Sequence, residues 1–323
     1  MKIKTGIIGG AGYTAGELIR LLINHPNVEI AFVHSSSNAG NKLTDIHEGL
    51  IGETDLAFSS GYDLNAIDAL FLCSAHGDSK KFLEANPIPD ALKIIDLSTD
   101  FRHKETAEGF VYGLPEVNKE EIQKATRIAN PGCFATAIQL ALLPLAKNNL
   151  LTNEVHVNAI TGSTGAGVKP GSTTHFSWRD NNISVYKAFD HQHLKEIRES
   201  LGQLQEGFDK EINFIPVRGN FSRGIFAGIY TKSDLSEEEA VALYNDFYKD
   251  AAFTFVSDKN IDMKQVVNTN KCILHLEKHG NKLFIISIID NLLKGASGQA
   301  VQNFNLMSGL NEKSGLQLKP SGF

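Results

Sequence analysis

The short apolar run Lys2 to Ile8 passes directly into Gly9-Gly10-Ala11-Gly12-Tyr13-Thr14-Ala15-Gly16. A strand that breaks on glycines and opens a helix is the most restrictive local pattern in this chain. Gly9 permits the tight turn, and Gly12 lets backbone approach another group closely. The pattern belongs to a parallel sheet covered by helices, and the following sequence continues it. Val28 to His34, Ala69 to Cys73, Lys93 to Asp96 and Arg127 to Ala129 read as further strands. Between the first two, Glu17, Leu18, Leu21 and Leu22 lie on a helix that ends near His25-Pro26, where proline forbids continuation.

The second half changes character. Runs at Val155 to Ile160, Ile212 to Pro216, Ile225 to Thr231, Lys271 to Lys278 and Leu283 to Ile289 are only partly separated by helices, which predicts a mixed sheet. The last two flank His279-Gly280-Asn281-Lys282, a hairpin turn. Ser236-Glu237-Glu238-Glu239 is a capping-box start for a helix through Tyr248, and Ala296 to Met307 reads as a helix returning to the first domain. The expected class is α/β: a Rossmann-type domain from residues 1–150 and 300–323, and an α+β catalytic and oligomerisation domain from 151–299. The apolar helix after Cys133 closes the first domain in this reading.

At 323 residues, 42% hydrophobic and 21% charged, the chain can build two ordinary cores. Its net charge of −6, with no block of Lys or Arg, argues against a nucleic-acid partner. No apolar run is long enough to span a membrane, and the N-terminal one is too short for a signal peptide. Cys73, Cys133 and Cys272 are too few and too scattered for a disulfide framework. A cytoplasmic protein with reduced thiols is expected.

The glycine turn has the setting of a dinucleotide fingerprint, in which helix-start amides and dipole meet a pyrophosphate. A turn with no ligand uses the same glycines, but the preceding strand and following helix favour the first reading. The second strand ends in His34-Ser35-Ser36-Ser37-Asn38, with no carboxylate for the adenosine ribose hydroxyls. Hydroxyls such as Ser35 and Ser36 accept a 2′-phosphate without repulsion, so NADP is the expected coenzyme.

Asn130-Pro131-Gly132-Cys133 makes a turn before a long apolar stretch. That puts the Cys133 thiol at a helix N-terminus, where dipole and unpaired amides favour thiolate. Cys73 and Cys272 lie inside strand-like runs and read as packing residues. His191-Gln192-His193 opens an amphipathic helix with Leu194, Ile197 and Leu201 on its buried stripe, and supplies the proton carrier a thiolate nucleophile needs. Metal binding is the rival use of two histidines so spaced, but no further cluster with ligand spacing completes a site. Arg102 ends Asp96-Leu97-Ser98-Thr99-Asp100-Phe101-Arg102 after a buried strand, placed either to clamp a phosphate or to form a surface ion pair. Gly162-Ser163-Thr164-Gly165-Ala166-Gly167 is a donor-rich loop at the site or a simple turn.

Taken together, these stretches resemble the N-acetyl-γ-glutamyl-phosphate reductases of arginine biosynthesis, relatives of the aspartate-semialdehyde dehydrogenases. The resemblance runs along essentially the whole chain. Its most specific element is Asp290-Asn291-Leu292-Leu293-Lys294-Gly295-Ala296-Ser297-Gly298-Gln299-Ala300-Val301-Gln302-Asn303. It implies Cys133 as nucleophile, with His193 or His191 as acid and base. His193 is preferred because Ile197 follows it at the relatives' spacing. The resemblance further implies Arg102, Asn130, Lys187 and Arg223 at the substrate, and Gly9, Gly12, Tyr13, Thr14, Ser35, Ser36, Ser74, His76, Gly165, Asn291 and Gly295 at the coenzyme. It implies a homo-oligomer, a small acyl phosphate as substrate, and no metal.

Departures from the family pattern are Ala15 with Gly16 beside it, Ala188-Phe189-Asp190, Leu194-Lys195 and Val217-Arg218. All but the first lie near the substrate's acyl tail, so N-succinyl stands open beside N-acetyl. Aspartate-semialdehyde dehydrogenase and a non-catalytic NADP-binding sensor are the competing functions.

Overall fold

The computed structural model describes residues 2–322. They form two units, 2–131 with 296–317, and 132–295 with 318–322.

The first unit holds a six-stranded sheet in the order β2-β1-β3-β4-β6-β5, every pair parallel. Its strands are β1 (Ile3–Ile8), β2 (Val28–His34), β3 (Ala69–Leu72), β4 (Lys93–Asp96), β5 (Val111–Tyr112) and β6 (Arg127–Ala129). All but β5 match the five expected runs within a residue. β1 is flanked by β2 on one side and β3 on the other, so the order reverses there. In open α/β sheets ligands bind outside the carboxyl ends of the strands at such a reversal. Helices α1 (Tyr13–Ile23), α2 (Asp78–Ala85) and α3 (Pro115–Lys124) connect the strands. α1 buries Ala15, Leu18, Ile19, Leu21 and Leu22, the 3.6-residue stripe visible in the sequence.

Next in the chain is α4 (Cys133–Lys147), which corrects the expected boundary. It belongs to the second unit and packs against that unit's sheet and helices. A helix buried on all sides does not reveal from its sequence which sheet it serves. The boundaries therefore fall at 131/132 and 295/296 rather than at 150/151 and 299/300, and residues 318–322 also lie with the second unit.

The seven-stranded mixed sheet of that unit runs β11-β12-β13-β10-β7-β9-β8. It comprises β7 (Val155–Thr161), β8 (Ser184–Val185), β9 (Ile212–Arg218), β10 (Ile225–Lys232), β11 (Thr254–Ser257), β12 (Cys272–His279) and β13 (Lys282–Ile289). β10 buries Ile225, Ala227, Ile229 and Thr231 alternately, as a strand covered on one face should. The β12–β13 hairpin pairs His279 with Lys282, and Gly280 takes φ +58° in the turn. Helices α5 (Phe176–Arg179), α6 (His193–Leu204) and α7 (Glu237–Tyr248) lie between strands, and α7 starts on the expected capping box. A π-helical turn, Leu293–Ser297, then leads into α8 (Gly298–Met307), which packs on α1, α3 and β4 of the first unit. Among the described residues no helix is long and apolar enough to cross a membrane.

One device inside α4 satisfies a carbonyl that the helix itself leaves without a partner. Pro144 lies within the helix and has no N–H for the Leu140 carbonyl. Tyr248, on the buried face of α7, donates its hydroxyl to that carbonyl, and Tyr244 one turn earlier donates to Ala141. Tyr248→Phe should therefore lower stability by about 1–3 kcal/mol. The loss should shrink in a Pro144→Ala background, where a backbone N–H again serves Leu140. Denaturant midpoints of the two single variants and the double variant measure this coupling.

Candidate active site

Cys133 is the first residue of α4, and its N-cap is Gly132 with no side-chain cap. First-turn N–H groups have no carbonyl within their own helix, so partial positive charge collects around the sulfur. Glu196 of α6 reaches this helix start: its Oε2 accepts the Gly132 N–H at 3.1 Å while Oε1 lies 3.8 Å from His193 Nε2. Both side chains are buried. A Cβ on Gly132 would stand 2.4 Å from His193 Nε2 and 2.7 Å from Glu196 Oε1, so only glycine lets α6 approach this closely. From the other side comes Gly295, in the π turn. Its N–H bonds the Asp290 carbonyl five residues back at 3.0 Å, and a Cβ there would meet Cys133 Cβ at 2.8 Å. Extra-wide turns of this kind recur at functional sites.

The two histidines have different surroundings. His191 Nδ1 accepts the His193 backbone N–H at 3.2 Å, which requires Nδ1 to be unprotonated. Burial, then the charges of Lys187 and Arg218, lower its pKa to about 4. His191 is thus a neutral acceptor that orients His193, while His193 faces a carboxylate able to stabilise an imidazolium. Phe134 walls both rings edge-on, and Phe214 packs edge-on against His191 and Phe134. Tyr186 packs its ring under the Arg218 guanidinium, 4.8 Å from the centroid, and 5.8 Å from the His191 ring. Burial first, and then Cys133, push its hydroxyl up to about 12, so it stays a donor.

Other expected residues have mostly local partners. Arg223 is gripped by the buried Asp290 carboxylate through Nε at 3.1 Å and Nη2 at 3.2 Å. Asn291 accepts the Gly224 N–H and donates to Thr164, tying two loops together. Lys187 is exposed, has φ +46° and donates to Gln192 at 3.1 Å. Gly165 is exposed in a short 3₁₀ turn.

In the first unit Arg102 is buried, donating Nε to the Asn130 carbonyl at 2.8 Å and Nη2 to that of Leu97 at 2.9 Å. The Asn130 amide donates to Ala296 and accepts from Asn303. Those bonds make it a residue that shapes the turn. His76 Nδ1 accepts the Thr99 N–H at 3.1 Å, and Ser74 follows β3. Cys73 has its thiol pKa raised by burial and then by Asp96, which suits packing rather than nucleophilic chemistry.

The glycine turn fits a dinucleotide. Gly9 has φ +80°, and a Cβ there would meet the Cys73 backbone at 2.8 Å, so the turn runs hard against the end of β3. Gly12, the N-cap of α1, has no side-chain cap and nothing within 4 Å of an ideal Cβ. An uncapped helix start facing open space is what a pyrophosphate requires. Tyr13 is exposed, and the Thr14 carbonyl accepts from Ser297. Beyond β2, Asn38 Nδ2 donates to Ser35 at 3.3 Å and Ser37 at 2.9 Å, which gathers the hydroxyls, while Ser36 is exposed.

Residues 4–125 match the semialdehyde dehydrogenase NAD binding domain, and residues 133–291 the semialdehyde dehydrogenase dimerisation domain. The N-acetyl-gamma-glutamyl-phosphate reductases of Azobacteroides pseudotrichonymphae and Bacteroides thetaiotaomicron are 75% and 66% identical over 99% of this chain and 100% of each relative. The chain belongs to the N-acetyl-γ-glutamyl-phosphate reductase family. Among solved structures, aspartate semialdehyde dehydrogenase II of Vibrio cholerae superposes with a TM-score of 0.72 at 16% identity, over 96% of this chain and 99% of that one. The Candida albicans aspartate semialdehyde dehydrogenase, solved with NADP, gives 0.72 at 14% identity, over 95% of this chain and 99% of that one. At these identities the likeness concerns the fold.

Sequence reasoning about this family member missed Glu196, placed Gly132 only in the turn before Cys133 and Arg218 only among the family departures, and gave Tyr186 no role at the site. Glu196 stands three residues after His193 on one helix face, a spacing that offered the signal. Gly295, expected at the coenzyme, lies against Cys133. The neutral state of His191 has a measurable consequence. Its pKa is depressed in the folded protein, so between about 4 and the usual 6.5 the unfolded chain binds more protons. The stabilisation is complete above 6.5 and is lost as pH falls toward 4. His191→Gln should flatten the stability–pH curve in that window, by up to about 3 kcal/mol, in denaturant melts at stepped pH.

Proposed function

We propose that this chain reduces N-acetyl-γ-glutamyl phosphate to N-acetylglutamate 5-semialdehyde with NADPH, through a thioester on Cys133, in arginine biosynthesis. The observation that carries the proposal is the start of α4, where Cys133 sits between two glycines that exclude a Cβ, beside the buried His193–Glu196 pair. The names of the relatives support the same substrate.

His193 takes the thiol proton while the sulfur attacks the acyl carbon, and Glu196 stabilises the imidazolium. The N–H of Cys133 meets the developing oxyanion, a contribution of about 3 kcal/mol in comparable sites. The bond from acyl carbon to phosphate oxygen then breaks, the proton passes from His193 to the departing phosphate, and the thioester remains. Arg102, Lys187 and Arg223 are the cations we assign to the substrate's anionic groups, with Asn130 shaping the turn before Cys133.

The coenzyme is a nicotinamide dinucleotide, which supplies the hydride that takes the thioester to the aldehyde level. Gly9, Gly12, Tyr13 and Thr14 would hold its pyrophosphate, Ser35 and Ser36 its 2′-phosphate, and Ser74, His76, Gly165 and Asn291 its nicotinamide side. As the carbon–sulfur bond breaks, the sulfur leaves as thiolate and is reprotonated from solvent through His193.

The dimerisation-domain match supports self-association through the second unit, and three free thiols suit a reducing cytoplasm. Steady-state assays with N-acetyl and N-succinyl substrates and with NADPH and NADH test the assignment. The N-acetyl substrate with NADPH should give the highest kcat/KM, by about tenfold or more over the N-succinyl compound. Ser36→Asp should raise KM for NADPH about tenfold, ~1.4 kcal/mol. Preference for the N-succinyl compound or for NADH would overturn the corresponding part.

A further inference from the structure

We infer that His47 is a positioning residue for the glycine turn, and that Gly16 is glycine because the imidazole of His47 rests on it. The inference rests on reading Gly9 to Thr14 as the coenzyme turn.

His47 lies between two 3₁₀ turns, Leu43–Asp45 and Glu48–Leu50, in the segment after β2. That segment is closed on itself by backbone bonds from Gly40 to Phe58, Leu43 to Leu56 and Phe58 to Asn41, and the Ser59 N–H ties it to the Val33 carbonyl of β2 at 2.9 Å. From there His47 Nε2 reaches the Gly10 carbonyl at 2.7 Å. A carbonyl only accepts, so Nε2 carries the proton.

Gly10 is already fixed on its other side. Its N–H donates to the His34 carbonyl at 2.9 Å, and a Cβ there would meet Val33 at 2.3 Å. With both ends of Gly10 bonded, the next peptide plane is set. In a trans peptide the carbonyl and the following N–H point in opposite directions, so holding the Gly10 carbonyl toward His47 turns the Ala11 N–H away from it. His47 thereby orients the first amide of the turn.

The same ring explains Gly16. A Cβ at that position would stand 2.7 Å from His47 Nδ1 and 2.9 Å from Cε1, within the body of the imidazole rather than at a flexible tip. Gly16 is inside α1, where glycine is unfavourable relative to alanine, so its presence needs a steric reason, and His47 supplies one.

The test measures NADPH binding by fluorescence titration together with steady-state kinetics. His47→Ala should raise the coenzyme Kd and KM about tenfold while kcat and the KM of the acyl phosphate stay within about twofold. His47→Gln, whose amide can donate to the same carbonyl, should recover most of the loss. Gly16→Ala alone should weaken NADPH binding to a similar extent, yet in the His47→Ala background it should cost nothing further and raise Tm. Equal NADPH affinity in the parent and His47→Ala proteins would overturn the inference, as would a Gly16→Ala penalty that persists without His47. Failure of the parent protein to bind NADPH would instead defeat the reading of the turn itself.

Discussion

The structure of the second unit depends on the contact between a buried carboxylate and the start of a helix. Glu196 is 1% exposed, and a charge so placed is tolerable only when it is hydrogen-bonded and paired. The Gly132 N–H provides the bond and His193 the partner. Because both come from the turn and helix that frame Cys133, satisfying the carboxylate also fixes where Cys133 sits. Replacing Gly132 would push the pair apart, and replacing Gly295 would push Cys133 itself. The Gln139 side-chain amide donates Nε2 to both the Glu196 carbonyl and the Ser200 hydroxyl, which holds α6 against α4 at the same level.

The first unit applies the same physics to another ligand. α1 also begins at a glycine N-cap with no side-chain cap, and its amides face open space. A helix start left unfilled by its own sequence is a site for negative charge. In α1 that charge is read as a pyrophosphate, and in α4 as a thiolate and the oxyanion it generates. What distinguishes them is the surroundings. α1 has small residues and backbone around its start, whereas α4 has the buried His193–Glu196 pair and two walls that exclude a Cβ.

Much of this was legible in the sequence because it rests on periodicity and on glycine. The parallel strands announced themselves as β-branched runs, the hairpin as Gly280-Asn281, and α7 as its capping box. β5 and β8, two residues each, were too short to leave a pattern, and β11 is a four-residue strand completed by its pairing with β12. The place of α4 was misread because an all-apolar helix has no polar face to indicate its partner. Glu196 was missed since a glutamate in a first helical turn ordinarily faces water, and its spacing from His193 puts the two on one face without saying that this face is buried. The π turn at Gly295 depends on a bond between residues five apart, which no local propensity encodes.

The central claim is that Cys133 becomes acylated during turnover. Incubating the chain with N-acetyl-γ-glutamyl phosphate in the absence of coenzyme, followed by mass spectrometry of the intact protein and its peptides, tests it directly. The account predicts stoichiometric release of phosphate and one hydroxylamine-labile N-acetylglutamyl group on Cys133, chased to aldehyde on addition of NADPH. An adduct on another residue, or full turnover with no adduct at Cys133, would contradict it.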